Sequence, residues 1–283
     1  MSAQEIANRE QYLVRMSESL IDKIYFMDKV KCHVFVDFGC ADGAMIRLLS
    51  QIFPDNYYIG YDYDREMITR ARELGESRNL RFVSDWGKVV QLVREKREEL
   101  RPILGTPLTE GYSFDLKVCL LLFSVIHEVY SYGPENVNNF WDMVFGRQKN
   151  ISESIKFSTI VMRDMAVSKK ASRPSDPIAV ARVRQIFDSY KLSQWESQWG
   201  SLDENWSLVH FLLTYHYQDN WEREYRENYL PLPMEDLLPH FPPEYFPKHI
   251  EHYTLPYIRQ KVQKDFGIQL QERTHLKLIM EKD

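Results

Sequence analysis

The chain has 283 residues, 44% hydrophobic and 27% charged, with a formal net charge of −5. That length buries a full core as one large domain, or as a domain with an insertion. An acidic balance argues against tight, sequence-independent binding to a phosphate backbone, although a local basic patch leaves nucleic acid open. No apolar run approaches the ~18 residues of a membrane span, and Met1 to Arg15 lacks the apolar centre of a signal peptide. Cys32, Cys40 and Cys119 are odd in number and lack metal-ligand spacing. Neither a disulfide framework nor a structural zinc is expected, and a reducing cytoplasm is the natural setting.

In chain order, short apolar runs alternate with helical stretches. His33 to Asp37 is a compact strand ending on a carboxylate. Ala44 to Phe53 carries apolar residues at helical spacing and is stopped by Pro54-Asp55-Asn56. Tyr57 to Asp62 reads as the second strand, with Arg65 to Leu74 as its helix. Leu80 to Ser84 is a third strand, followed by a charged amphipathic helix over Gly87 to Leu100. Asp115 to Ser124 is almost unbrokenly apolar, as a central strand covered on both faces should be. Asn136 to Phe145 fits the next helix, and Phe157 to Met162 a fifth strand. This alternation predicts an α/β fold with a parallel sheet and right-handed crossovers.

The rhythm breaks at about Val167. Up to His249 the chain is rich in Pro, Trp and Tyr and reads helical, with pieces over Ile178 to Tyr190, Asn205 to Tyr217 and Met234 to Leu238. Asp176-Pro177 is a helix start with proline in the first turn. Strand character returns at His252 to Leu255 and His275 to Met280. The expected organisation is an N-terminal helical segment over 1–30, a core over 31–166, a helical insertion over 167–249, and strands over 250–283 that complete the sheet.

The chemistry concentrates in Val34-Phe-Val-Asp-Phe-Gly-Cys-Ala-Asp-Gly43. An acid closes the strand, and glycines stand at 39 and 43 where a helix begins. Gly39 can adopt backbone conformations closed to other residues and lets a ligand approach the main chain. This segment resembles motif I of the Rossmann-like (class I) S-adenosylmethionine-dependent methyltransferases, D-x-G-x-G-x-G, with alanine at the middle glycine. Ile59-Gly60-Tyr61-Asp62, followed by Arg65-Glu66-Met67, is similar to that family's G-x-D and helix. Ser84-Asp85-Trp86 resembles the position that presents an acid to the adenine amine beside a hydrophobic ring.

The resemblance spans about Asp37 to Met165 and resumes at the final strand. It implies a mostly parallel Rossmann-like sheet with its last strand antiparallel, helices on both faces, and the helical insertion before the final two strands. It implies S-adenosylmethionine as cofactor, held by Asp37, Gly39, Cys40, Ala41, Gly43, Asp62, Tyr63, Met67, Asp85, Trp86 and Ser124. Taken singly, Asp37 could cap a turn and Asp62 and Asp85 could be solvated loop acids; their joint register with three strands favours the ligand. An acid at the second strand end can accept both ribose hydroxyls. An NAD-type site would want G-x-G-x-x-G, and Asp37 and Asp42 at a helix N-terminus would repel a pyrophosphate.

At the fourth strand end, Ser124-Val-Ile-His-Glu128 and two tyrosines gather polar groups beside the ligand crevice. His127 and Glu128 are the candidate catalytic residues. A hydrogen-bonded structural histidine and a loop-anchoring glutamate are the alternatives. Arg163 or Asp164 faces the acceptor or forms an ion pair, the ion pair being favoured. Arg15 to Lys23 has a helical pattern that covers the cofactor or packs on the sheet. Methyl transfer from a sulfonium needs mainly alignment and exclusion of water, so no strong base is required. The rings of 167–249 form either a small core or a lid that stacks on a flat or cationic acceptor.

The expected function is methyl transfer to a small-molecule acceptor, with no membrane partner and an open oligomeric state. A non-catalytic S-adenosylmethionine-binding module that docks proteins is the alternative, and a nucleotide-linked oxidoreductase a third.

Overall fold

The computed structural model describes residues 20–104, 116–131, 134–145 and 155–282. Residues 1–19, which hold most of the expected N-terminal helical pattern, lie outside the described residues. The part of that pattern that is described is α1 (Leu20–Lys23).

Seven strands form one sheet: β1 (Val34–Phe38), β2 (Tyr57–Tyr61), β3 (Leu80–Val83), β4 (Val118–Phe123), β5 (Thr159–Met165), β6 (Tyr245–Tyr253) and β7 (His275–Lys282). Their order across the sheet is β3-β2-β1-β4-β5-β7-β6. The first five run parallel; β7 runs antiparallel between β5 and β6. The expected Rossmann-like sheet, mostly parallel with its last strand antiparallel, is thus the observed one.

β4 sits at the centre, and all of its residues are buried. That is why it reads as a continuous apolar run without alternation. Helices α2 (Ala44–Ile52), α3 (Arg65–Glu73), α4 (Trp86–Leu104), α5 (Ile126–Ser131) and α6 (Pro134–Val144) connect the parallel strands. Two separate apolar clusters contain sheet residues, one around Val36, Leu120 and Leu122 and the other around Phe35, Cys119 and Leu121. Alternate side chains of β1 and β4 thereby fill opposite faces.

The helical segment between β5 and β6 contains α7 (Pro177–Ile186), α8 (Ser189–Trp199), α9 (Asn205–Thr214), α10 (Trp221–Glu224) and α11 (Met234–Leu237). The single helix expected over Ile178 to Tyr190 is two. The chain turns at Phe187, and the Asp188 side chain accepts the Lys191 N–H to cap α8. Such a local side-chain bond competes with continued helix, so the helical period survives across a real break.

After β6 comes α12 (Pro256–Phe266), with proline in its first turn and Gly267 closing it at φ +67°. Ile258, Val262 and Phe266 of α12 join the same apolar cluster as Trp195, Phe211 and Tyr215. The expectation of strands alone after residue 250 is corrected by this helix, whose apolar face finds its partner in the preceding helical segment. β6 begins at Tyr245, so sheet pairing starts within the stretch read as helical from sequence. Among the described residues, no helix is long and apolar enough to cross a membrane.

Candidate donor and acceptor site

The turn after β1 brings the glycine motif across the end of β2. Gly39 and Cys40 donate their N–H groups to the Tyr61 carbonyl at 2.8 and 3.0 Å. Gly39, Ala41 and Gly43 have φ of +75°, +48° and +74°. Ala41 bears the cost of a left-handed conformation that its two neighbours avoid. Its N–H is held at 2.8 Å by Asp62 Oδ2, while Asp62 Oδ1 accepts the Asp64 N–H at 2.9 Å. Asp62 therefore braces the turn directly. Burial raises its pKa to about 6, against the pull of those two N–H groups.

Gly43 serves packing more than ligand approach, since a Cβ there would lie 2.1 Å from the Phe82 ring. A Cβ on Gly39 would instead press on Val125 at 3.1 Å, where β4 ends.

Asp37, at the register position beside Gly60, is buried. Burial pushes its pKa up to about 7, with Lys23 opposing and Asp62 adding to the shift. Nothing in the sequence marks Lys23 as a site residue. It too is buried, and burial with the repulsion of Arg163 lowers its pKa to about 8, against attraction from Asp37, Asp164 and Asp22. The neighbouring Asp22 anchors α1: it is 2.8 Å from Arg163 Nε and 2.7 Å from Lys277 Nζ, and it accepts the Tyr253 hydroxyl proton.

The other expected donor-site residues fall in four settings. Asp85 is exposed and caps α4, accepting the Lys88 N–H at 2.9 Å, and Tyr63 is exposed beyond β2. Cys40 and Met67 are buried. Trp86 packs edge-on against Phe38 and Tyr61, with centroids 5.7 and 5.2 Å away. Ser124 stands at φ +55° at the end of β4, and its hydroxyl accepts from Arg163 at 3.1 Å.

His127 and Glu128 lie on α5, a short helix absent from the sequence reading because polar and apolar residues alternate too briefly there to show a period. Both oxygens of Asp164 are engaged: Oδ2 accepts the Ile126 N–H at 2.7 Å, and Oδ1 accepts from His127 Nδ1 at 2.9 Å and from the Met165 N–H at 2.8 Å. Burial disfavours the imidazolium, but Asp164, Glu128 and Glu227 outweigh it and lift His127 to about 9. At neutral pH His127 is consequently charged, which suits positioning better than proton abstraction.

The helical segment closes over α5. Arg223 lies 2.9 Å from Glu128 and 2.8 Å from Glu227, and the Asn228 N–H donates to the Ser131 hydroxyl at 2.7 Å. Glu227 lies 3.9 Å from His127 Nε2. Tyr229 packs 5.3 Å from the His127 ring and donates its hydroxyl proton to Glu224. Burial, with Glu128 and Glu224 nearby, raises the pKa of Glu227 to about 8. Arg223, Glu224, Glu227 and Tyr229 escaped the sequence reading because they lie far from every strand end along the chain. Their clustering within seven residues of an aromatic stretch was the one available signal. Glu128 also raises the pKa of Asp62, so the two halves of the crevice sense each other's charge.

Residues 36–135 match the family model of a methyltransferase domain. Comparison with curated protein sequences gives no match. Among solved structures, the chain is similar to an S-adenosylmethionine-dependent methyltransferase from Anabaena variabilis, at 12% identity, covering 100% of this chain and 99% of that one with a TM-score of 0.45. It is also similar to the methyltransferase domain of bacterial CtHen1-C, at 9% identity over 94% and 98% of the two chains, TM-score 0.48. A third is the plantazolicin methyltransferase BpumL in complex with SAH, at 13% identity over 98% and 88%, TM-score 0.42.

The strand order, the glycine turn braced by an acid from β2, and the matched domain together define a class I methyltransferase fold. Residues 36–135 carry a methyltransferase domain.

Proposed function

We propose that the chain transfers the methyl group of S-adenosylmethionine to a small-molecule acceptor held between the end of β4 and residues 223–229. The observation that carries this reading is the Arg223 link to Glu128, which closes the helical segment over the first turn after β4. In open α/β sheets this is the crevice where ligands bind. The domain division at 1–30, 31–166, 167–249 and 250–283 belongs to the same reading, with 167–249 choosing the acceptor. Buried free cysteines at 32, 40 and 119 support a cytoplasmic setting.

On the donor side, Asp37 and Lys23 form a receptor for a zwitterion. The carboxylate faces the α-ammonium of the donor and the amine faces its α-carboxylate. Each is pushed toward neutrality by burial, so the bound amino-acid moiety restores both charges. Asp62 retains lone pairs for the ribose hydroxyls, and Asp85 keeps an oxygen for the adenine amine beside Trp86. Cys40, Tyr63, Met67 and Ser124 complete the wall. On the acceptor side, Asp164 fixes the His127 ring and Arg223 fixes Glu128, so alignment and exclusion of water do the catalytic work.

Calorimetric titration with S-adenosylhomocysteine, NAD and ATP tests the donor site; heat with S-adenosylhomocysteine alone is expected. Labelled donor incubated with fractionated small molecules tests turnover. Binding without turnover across all fractions would favour the non-catalytic, protein-docking alternative.

A further inference from the structure

The buried polar cluster beneath residues 223–229 has a composition that methyl transfer by alignment does not require. The ligand atoms of His127, Glu128 and Glu227 lie within 4.8 Å of one another. His127 gives its Nδ1–H to Asp164, which turns Nε2 toward Glu227 Oε2 at 3.9 Å. An ion with bonds of about 2.0–2.2 Å to nitrogen and oxygen spans such a gap. Arg223 engages the Oε1 atoms of both Glu128 and Glu227 at 2.9 and 2.8 Å. The other oxygen of Glu227, Oε2, is the one turned toward His127 Nε2.

A carboxylate behind the histidine and a guanidinium behind the glutamates are the outer partners that orient metal ligands. Charge points the same way. Glu128, Glu224 and Glu227 face one guanidinium, and His127 is already matched by Asp164. The Oε1 atoms of Glu224 and Glu227 pair with that guanidinium by charge but accept no well-aligned hydrogen bond, although their side chains are only 3% and 5% exposed. Buried carboxylate oxygens in this state favour a cation.

We propose that His127 Nε2, Glu128 and Glu227 bind a divalent metal ion at the acceptor end of the crevice. One imidazole and two carboxylates suit a first-row ion such as Mn2+ or Zn2+, with further positions open to water or an acceptor oxygen. The ion displaces a proton from Nε2 on binding. An acceptor hydroxyl bound to it would be more acidic and held beside α5. The site stands on the placement of these residues and goes beyond the methyltransferase reading, on which only its position at the acceptor end rests.

The test titrates the full chain with Mn2+ alone, followed by the loss of the free-ion electron paramagnetic resonance signal, with Zn2+ as competitor. One tightly bound equivalent is expected, weakened at least tenfold in Glu227→Gln and His127→Gln. Because both residues are buried, Glu128→Gln, whose side chain is 22% exposed, provides a third variant that perturbs packing less. No binding by the wild-type chain, or equal binding by all three variants, overturns the proposal. S-adenosylhomocysteine titrated into the same samples keeps the two readings apart: a chain that binds it but takes up no Mn2+ refutes the metal site alone.

Discussion

Asp22 Oδ2 lies 2.8 Å from Arg163 Nε, joining α1 to β5. Asp22 Oδ1 is also 2.7 Å from Lys277 on β7. One carboxylate thus neutralises two largely buried cations and sets the position of the next residue, Lys23. Asp22→Asn leaves both cations short of a countercharge, and a loss of about 3 kcal/mol is expected. Urea denaturation measures it; a loss below about 1 kcal/mol would mean that solvent already screens the cluster.

Lys23→Met separates the amino-acid end of the donor from its nucleoside end. Affinity for S-adenosylhomocysteine should fall at least tenfold, roughly the value of one charge-assisted hydrogen bond. Affinity for 5′-methylthioadenosine, which lacks the amino-acid moiety, should hold. An equal fall for both ligands would place Lys23 outside the carboxylate site.

Asp37 makes apo stability depend on pH. The folded chain keeps its proton up to about pH 7, whereas the unfolded chain releases it near 3.8. Stability from this group is full below pH 3.8 and is lost as pH rises through about 7. Between pH 5 and 7 the wild-type chain should lose about 2 kcal/mol more than Asp37→Asn. Parallel curves for the two proteins would show that Asp37 is ionised throughout.

Gly60 has no room for a side chain, because a Cβ would lie 2.5 Å from the Phe82 ring and 2.9 Å from Cys40 Sγ. Gly60→Ala should destabilise the chain by about 2 kcal/mol through overpacking. In a Phe82→Leu background the same change should cost less by about 1 kcal/mol or more, as a double-mutant cycle reads it. Strict additivity would locate the strain elsewhere.

Much of the fold was legible because its signals are local. β1, β2 and β4 announce themselves by apolar runs at the right length, with Asp37 next to last in β1 and Asp62 directly after β2. α5 was not legible, because six residues are too few to display a helical period and its stability comes from docking against residues 223–229. The Asp188 break between α7 and α8 was hidden for the opposite reason, since the period continues across it.

The amino-acid sequence by itself determined the glycine turn after β1 and the acids near the ends of β1 and β2. Glycines that permit positive φ, and acids at strand ends, act over a few residues and carry their physics in their identity. Only the tertiary structure decided the rest. The clamping of Asp22 by β5 and β7 places the neighbouring Lys23 where it acts on Asp37 by charge, and Glu227 comes within 3.9 Å of His127 because the helical segment packs over α5. Electrostatic pairs between residues a hundred positions apart have no periodicity, and burial together with the charges the fold brings near sets their protonation.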